Sequence, residues 1–279
     1  MDVQRIAAFS QGNEGGNPAG VVLLDTPASE ADMARVAAEI GYSETAFAVA
    51  LDDTKKNWRV RYFSPESEVP FCGHATIALG AVLGMHAGAG TFNLTLNNAS
   101  ITVEARSSDE GMVATLASPR THSQDISADE LSDALRLFDL SEDDLDPRLA
   151  PARAHGGADH LVIPLKDRGT LAAMDYDLDQ GRVMMRNHEL VTIMLVYIES
   201  DQSFVARNAF ASGGVLEDPA TGAAAAAFAG YLRDKAWPHR GKFTIRQGED
   251  MGSPSRIEVA LDTDVGSSVR VSGSARNIV

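Results

Sequence analysis

Two stretches decide the fold: Phe71-Cys72-Gly73-His74-Ala75-Thr76-Ile77-Ala78-Leu79-Gly80-Ala81 and, about half a chain later, Glu217-Asp218-Pro219-Ala220-Thr221-Gly222-Ala223-Ala224-Ala225-Ala226-Ala227-Phe228-Ala229-Gly230. Each predicts a helix of small residues, entered through a Gly-containing turn with polar residues at its mouth. Alanine and glycine all around a helix let neighbours approach on every side. A helix threaded through a tightly wrapped sheet needs that. The spacing predicts a duplicated unit, each half wrapping strands around one buried helix. Two unrelated alanine-rich core helices remain the alternative on residue pattern alone.

Around these segments the pattern is mixed helix and strand. Ser29 with Asp32 is a capping pattern ahead of Met33, Val36, Ala37 and Ile40, and Gly41 supplies a stop. Strands are predicted where Thr45, Phe47, Val49 and Leu51 share a face and where Trp58, Val60 and Tyr62 alternate with Arg59 and Arg61. Phe92–Leu96 and Ile101–Val103 flank Asn97-Asn98 as a hairpin. Ser127 with Glu130 is a capping box before Leu131, Ala134, Leu135 and Phe138. Strands are expected at 160–165, 191–198, 204–208, 243–247, 257–261 and 269–271. The acidic stretch Ser141–Asp146 is expected to be a solvated loop.

Composition removes several functions. The chain has 279 residues, 39 acidic against 24 basic, and a net charge of −15. Sequence-independent nucleic-acid binding and docking on anionic lipid both need the opposite charge, so neither partner is expected. A single cysteine, Cys72, excludes an intrachain disulfide, an all-cysteine metal site and any mechanism needing two thiols in one chain. No signal peptide and no run of about 18 apolar residues is found, so a cytoplasmic location is expected.

The helix mouths are the natural place for chemistry. First-turn N–H groups lack intrahelical acceptors, and the helix dipole adds partial positive charge. Gly73-His74 and Thr221-Gly222-Ala223 are therefore candidate carboxylate cradles; glycines that only permit close packing are the other reading. Glu44, at a helix–strand junction, is either a solvated carboxylate or an acid/base. His74 is either a core histidine or a neutral hydrogen-bonding group in a site. Asp218 reads first as a helix cap and equally as a functional carboxylate. Cys72 reads as a small buried hydrophobe or, at a helix start, as a reactive thiol.

Asn17-Pro18-Ala19-Gly20, Ser43-Glu44-Thr45-Ala46-Phe47, Arg61-Tyr62-Phe63-Ser64-Pro65 and Val69-Pro70-Phe71-Cys72-Gly73-His74-Ala75-Thr76 resemble blocks of the phenazine-biosynthesis PhzF-like proteins. So do Phe204-Val205-Ala206-Arg207-Asn208, Glu217-Asp218-Pro219-Ala220-Thr221-Gly222, and Gln247-Gly248 with Met251-Gly252. The blocks run in family order over nearly the whole chain. The resemblance implies an α+β, diaminopimelate-epimerase-like fold: two pseudo-symmetric halves, each a strongly curved, mostly antiparallel sheet around a small-residue helix. The halves are drawn at residues 1–118, joined by the tail 268–279, and 119–267, with the site expected in the cleft between them. It further implies a homodimer without metal or organic cofactor.

In the best-understood members of that family a glutamate moves a proton on a small cyclic carboxylic acid, isomerising trans-2,3-dihydro-3-hydroxyanthranilate. By the resemblance that residue is Glu44, with His74 and Asp218 as its catalytic companions. Gly73 and Gly222 would hold the substrate carboxylate, with Cys72, Thr221 and Ala223 lining the site. Two departures point to a different substrate: Ala223 stands where most members carry serine, and Ser253 where arginine is usual. The related racemases use two cysteines. Cys72 matches the first, and the region matching the second reads Asp218-Pro219-Ala220. One-base isomerisation of a small acid is the expected function, with a non-catalytic small-acid binder as the alternative.

Overall fold

The computed structural model describes residues 1–109 and 111–278. The chain divides into two compact units, residues 1–117 with 272–279, and residues 118–271. Among the described residues, no helix is long and apolar enough to cross a membrane.

The first unit contains strands β1 (Gln4–Ala8), β2 (Asn17–Leu24), β3 (Thr45–Ala50), β4 (Asn57–Phe63), β5 (Glu68–Val69), β6 (Gly90–Thr95), β7 (Ser100–Ser108) and β8 (Gly111–Ala117). Helix α1 (Glu30–Ile40) crosses from β2 to β3, and α2 (Gly73–Ala87) crosses from β5 to β6. Ser29 caps α1 by accepting the Asp32 N–H, and Gly41 ends it at a φ of 71°. Each crossover joins parallel neighbours, β2 with β3 and β4 with β6; the pairs β1–β2, β3–β4, β6–β7 and β7–β8 are antiparallel.

The second unit contains β9 (His122–Asp125), β10 (Ala152–His155), β11 (Asp159–Leu165), β12 (Thr192–Ser200), β13 (Ser203–Ala209), β14 (Glu217–Asp218), β15 (Lys242–Gln247) and β16 (Ser255–Ala260). Its helices are α3 (Ala128–Leu137), α4 (Arg168–Ala172), α5 (Leu178–Asn187) and α6 (Gly222–Asp234). The ladder repeats that of the first unit. β10–β11, β12–β13 and β15–β16 are antiparallel, while β11–β12 and β13–β15 are parallel. The last strand, β17 (Arg270–Asn277), pairs with β1 and with β8. The first unit's sheet therefore closes on itself, each of its strands but the two-residue β5 pairing on both sides.

Inside this ring lies α2, buried from His74 to Gly84 with no polar face. A helix in that position must be small-sided. At Gly80 an added Cβ would sit 2.5 Å from Val103 Cγ2, and at Gly84 2.7 Å from Ala105 Cβ. The counterpart α6 is buried from Ala224 to Arg233 and packs on β9, β10, β11 and β16, so the second sheet also curls around its helix. The outer helices α3, α4 and α5 cover the other face of that sheet, where Leu161, Ile163, Ile193 and Leu195 meet Ala134, Leu171 and Met185.

Three local expectations change. Ser141–Asp146 is solvated only over its first half: Ser141, Glu142 and Asp143 are exposed, Glu142–Asp144 forms a 3-10 turn capped by Ser141, and Asp146 is buried against Arg148 at 2.5 Å. The Ser127 cap forms only one half of its box. Ser127 Oγ accepts the Glu130 N–H at 3.2 Å, whereas the Glu130 carboxylate turns toward Arg153, 3.6 Å away. Helices α4 and α5 were not expected from the pattern. Their signals were Asp167 and Asp177, which cap them by accepting the N–H groups of Thr170 and Gln180, each at 2.8 Å.

Candidate active site

The first-unit mouth is built by the chain entering α2. Cys72, in extended conformation (φ −144°), is the N-cap, and no side chain caps the helix. The first-turn N–H groups at Gly73 and His74 therefore point outward as donors. The turn is braced from below: the Thr76 hydroxyl donates to the Cys72 carbonyl at 2.7 Å and accepts from the Tyr62 hydroxyl, also at 2.7 Å. Burial pushes the Tyr62 hydroxyl pKa up, so this brace stays protonated and its donor direction is fixed.

Glu44 precedes β3, and its backbone carbonyl accepts the Gly20 N–H at 3.2 Å. That anchoring brings its carboxylate to α2, with Glu44 Oε2 3.5 Å from His74 Nε2 and side-chain exposures of 15% and 8%. Ser43 Oγ lies 3.4 Å from the same ring nitrogen, and Cys72 Sγ lies 3.3 Å from Nδ1. Both ring nitrogens are engaged: Nε2 faces the Ser43 hydroxyl and the Glu44 carboxylate, and Nδ1 faces the Cys72 thiol. Glu44, Cys72, Gly73 and His74 thus belong to one cluster. It is also the one group of three ligating side chains found among the described residues, each offering an atom within 4.8 Å of the others.

The second-unit mouth is polar in a different way. The N-cap of α6 is Thr221, not Asp218. Asp218 instead lies in β14, and its carboxylate Oδ2 accepts the Thr221 hydroxyl at 2.6 Å. The reason is register: Asp218 pairs with Asn208 in the ladder, which holds its backbone in the sheet before the helix starts. Gln247 ties the turn down. Its Nε2 donates to the Asp218 carbonyl at 2.6 Å and to Thr221 Oγ1 at 3.1 Å, and its Oε1 accepts the Thr221 N–H at 3.3 Å. Gly248 must follow, because at its φ of +78° a Cβ would lie 2.3 Å from the Ser253 carbonyl oxygen.

Behind Gln247 runs a buried chain that sequence reasoning missed. Asn208 Nδ2 donates to Gln247 Oε1 at 3.2 Å, and Thr192 Oγ1 donates to Asn208 Oδ1 at 3.0 Å. Since the Thr192 proton is spent on Asn208, His160 Nδ1, 2.8 Å from Thr192 Oγ1, must be the donor there. Burial pushes the His160 pKa down to about 4, so the ring is neutral with its lone pair on Nε2. The side-chain donors from His160 to Gln247 point the same way, and Gln247 Nε2 passes the direction on to Thr221 Oγ1, whose hydroxyl donates to the Asp218 carboxylate. The only sequence signal was a row of polar residues in strands otherwise rich in apolar ones.

The ladder register inside each unit matches its residues to counterparts in the other. Phe63 opposes Glu68 and Ala209 opposes Glu217; Phe63 also opposes Thr45, and Ala209 opposes Ile193. Glu44, which precedes Thr45, therefore corresponds to Thr192, which precedes Ile193. The same bookkeeping makes Tyr62 the counterpart of Asn208, and Arg61–Glu68 the counterpart of Arg207–Glu217, ion pairs with closest N···O distances of 2.6 Å in both. The helix N-caps, Cys72 and Thr221, correspond too. The position matching the first cysteine is thus Thr221, rather than the Asp218-Pro219-Ala220 stretch. The duplication repeats the scaffold while only the first unit carries a thiol and a carboxylate at these two places.

A duplicated, helix-centred sheet with an acid/base cluster at a helix mouth defines an isomerase- or epimerase-like protein of the diaminopimelate-epimerase-like fold. The comparisons agree. The family described as phenazine biosynthesis-like protein (PhzC-PhzF) matches residues 6–279, and the chain belongs to that family. It is 29% identical over 268 residues to the uncharacterized isomerase YddE of Escherichia coli, covering 93% of this chain and 89% of that protein. The crystal structure of a PhzF-family phenazine biosynthesis protein from Bacillus anthracis superposes with a TM-score of 0.86 at 20% identity, covering 100% of this chain and 98% of that one. A probable proline racemase from Agrobacterium radiobacter shares the fold, with a TM-score of 0.66 at 12% identity over 99% of this chain and 90% of the other.

Proposed function

We propose that this chain is a cofactor-independent isomerase that moves a proton between carbons of a small carboxylic acid, with Glu44 as its single acid/base. The observation that carries this reading is the placement of Glu44 against His74 at the start of α2, together with the non-ionising Thr192 at the corresponding place in the second unit. Glu44 as carboxylate takes the acidic C–H proton, the electron pair shifts through the adjacent unsaturated system, and Glu44–H returns the proton to another carbon. No atoms are gained or lost. His74 Nε2–H stabilises the carboxylate between the two transfers and steadies charge developing on the substrate. The Gly73 and His74 N–H groups suit the substrate carboxylate.

In the second unit, Asp218, Thr221, Gly222 and Ala223 are assigned substrate-holding roles from their own chemistry. Asp218 accepts from a hydroxyl or amino group, and the first-turn N–H groups donate to oxygen. Ala223 offers backbone only, which favours a substrate with one fewer hydrogen-bonding group than a serine there would serve.

Deuterium uptake tests the reading. Small acids of the dihydro-hydroxyanthranilate class are incubated with the protein in D₂O and followed by NMR. Wild-type protein should exchange a specific C–H, and Glu44→Gln should slow that exchange by at least about a hundredfold with ligand binding retained. Exchange surviving in Glu44→Gln overturns the assignment of the base. Tight binding without exchange in the wild type establishes a small-acid-binding protein instead.

A further inference from the structure

We propose that Glu44, Cys72 and His74 form a binding site for a thiophilic divalent cation, zinc being the physiological example, and that its occupation switches the protein off. One ligand atom from each of the three lies within 4.8 Å of the other two, and Cys72 Sγ already stands 3.3 Å from His74 Nδ1. In a tetrahedral zinc site, bonds of about 2.0–2.3 Å place ligand atoms roughly 3.3–3.8 Å apart. The thiol faces His74 Nδ1 and the carboxylate faces Nε2; the imidazole would bind the ion through one of these nitrogens, and the ligand on the other side would reach it by turning its side chain. The donor set is one thiolate, one imidazole and one carboxylate, which selects zinc or cadmium over magnesium and calcium. Three protein ligands leave a fourth position for water or a substrate oxygen.

Charge favours it as well. Glu44 and His74 are mostly buried, as is Cys72. A dication held by one carboxylate and one thiolate sums to zero, so the occupied site carries no net charge into that setting. The balance of the step is simple: the Cys72 S–H bond breaks, its proton leaves to solvent, and its sulfur lone pair binds the metal. His74 contributes the lone pair of one ring nitrogen and Glu44 a carboxylate oxygen. The inhibitory consequence rests on the proposed function, because a metal on Glu44 removes the proton carrier. The binding itself does not.

Cadmium chloride is the probe, titrated into the full-length protein while the ultraviolet thiolate-to-cadmium charge-transfer band is recorded. With one cysteine in the chain, any such band belongs to Cys72. The proposal expects a 1:1 band, absent in Cys72→Ser and requiring at least about tenfold more cadmium in His74→Ala and in Glu44→Gln. The stacked pair His122–His155, with ring centroids 4.7 Å apart, is a rival metal site without sulfur, so His122→Ala/His155→Ala should leave the band unchanged. No band, or a band indifferent to His74→Ala and Glu44→Gln, overturns the proposal whatever the protein's activity. Where deuterium exchange is measurable, zinc should abolish it and EDTA restore it.

Discussion

Gln247 holds Asp218 by its backbone rather than by its carboxylate: Nε2 donates to the Asp218 carbonyl at 2.6 Å, leaving the carboxylate to the Thr221 hydroxyl. Gln247 is almost fully buried and serves Asn208, Thr221 and Asp218 at once. Gln247→Leu removes one hydrogen-bond partner from each of the three, two of these bonds being buried, and a lost buried bond costs about 1–3 kcal/mol, partly relieved by relaxation. Urea unfolding should show a loss of about 2–4 kcal/mol. A loss under about 0.5 kcal/mol would mean that the amide is not the keystone of the α6 turn.

The neutral state of His160 makes stability depend on pH. Its folded pKa lies at about 4, below histidine's ordinary 6.5, because burial disfavours the charged ring. Between those values the unfolded chain binds a proton that the folded chain refuses, so stability rises with pH through this window and falls as pH drops from about 6.5 to about 4. The full effect of this one group is about 3 kcal/mol. His160→Gln, which cannot titrate, should flatten the curve over that window. Urea midpoints measured at intervals from pH 7 to 4 for both proteins check it; parallel curves would rule out a buried neutral histidine.

The two corresponding ion pairs should differ in worth. Arg207 and Glu217 have side-chain exposures of 11% and 6%, against 23% and 20% for Arg61 and Glu68. Removing one partner of a buried pair leaves an uncompensated charge and costs about 3–5 kcal/mol. Glu217→Gln should therefore destabilise by roughly that amount, also loosening an arginine that reaches the Ala172 and Met174 carbonyls. Glu68→Gln should cost less than half as much, since water partly solvates Arg61. Denaturant unfolding of the two variants in parallel decides it, and equal losses would contradict the burial argument.

The readable parts of the sequence were those where one requirement dominated. A helix enclosed on all sides must be small-sided, which is why residues 71–81 and 217–230 announced the fold. A strand with one wet face must alternate, which is why Trp58–Tyr62 was legible. Helices α4 and α5 escaped because α4 has only five residues and α5 carries Gly181, a poor helix former, on its buried face. At the site, Glu44, Cys72 and His74 could be singled out by residue type and family block, but not their proximity, which depends on how β2, β3 and α2 pack. The chain from His160 through Thr192 and Asn208 to Gln247 was invisible for a related reason. Its members come from four different strands, and a polar residue in a strand gives no sign of whether its partner lies across the ladder or in solvent.

Two glycines should respond to alanine differently, because one faces a side chain and the other a backbone. At Gly80 the new methyl meets Val103 Cγ2 at 2.5 Å and Ala114 Cβ at 3.1 Å. Overpacking of this kind costs about 1–3 kcal/mol, offset by up to about 1 kcal/mol of helix propensity. Trimming the obstacle in Gly80→Ala/Val103→Ala should recover part of the loss. At Gly156 the methyl meets the Ala227 N at 2.7 Å and the Ala223 carbonyl oxygen at 3.0 Å, and no side-chain substitution can clear those atoms. Gly156→Ala must push on the first turns of α6, where Gly222 and Ala223 present their N–H groups. It should therefore weaken small-acid binding as well as stability, whereas Gly80→Ala, in the middle of α2, should lower stability and leave binding by the folded protein close to wild type. Calorimetric titration beside thermal unfolding separates the two effects, and a Gly156→Ala protein that binds like the wild type would show that the α6 mouth does not depend on this contact.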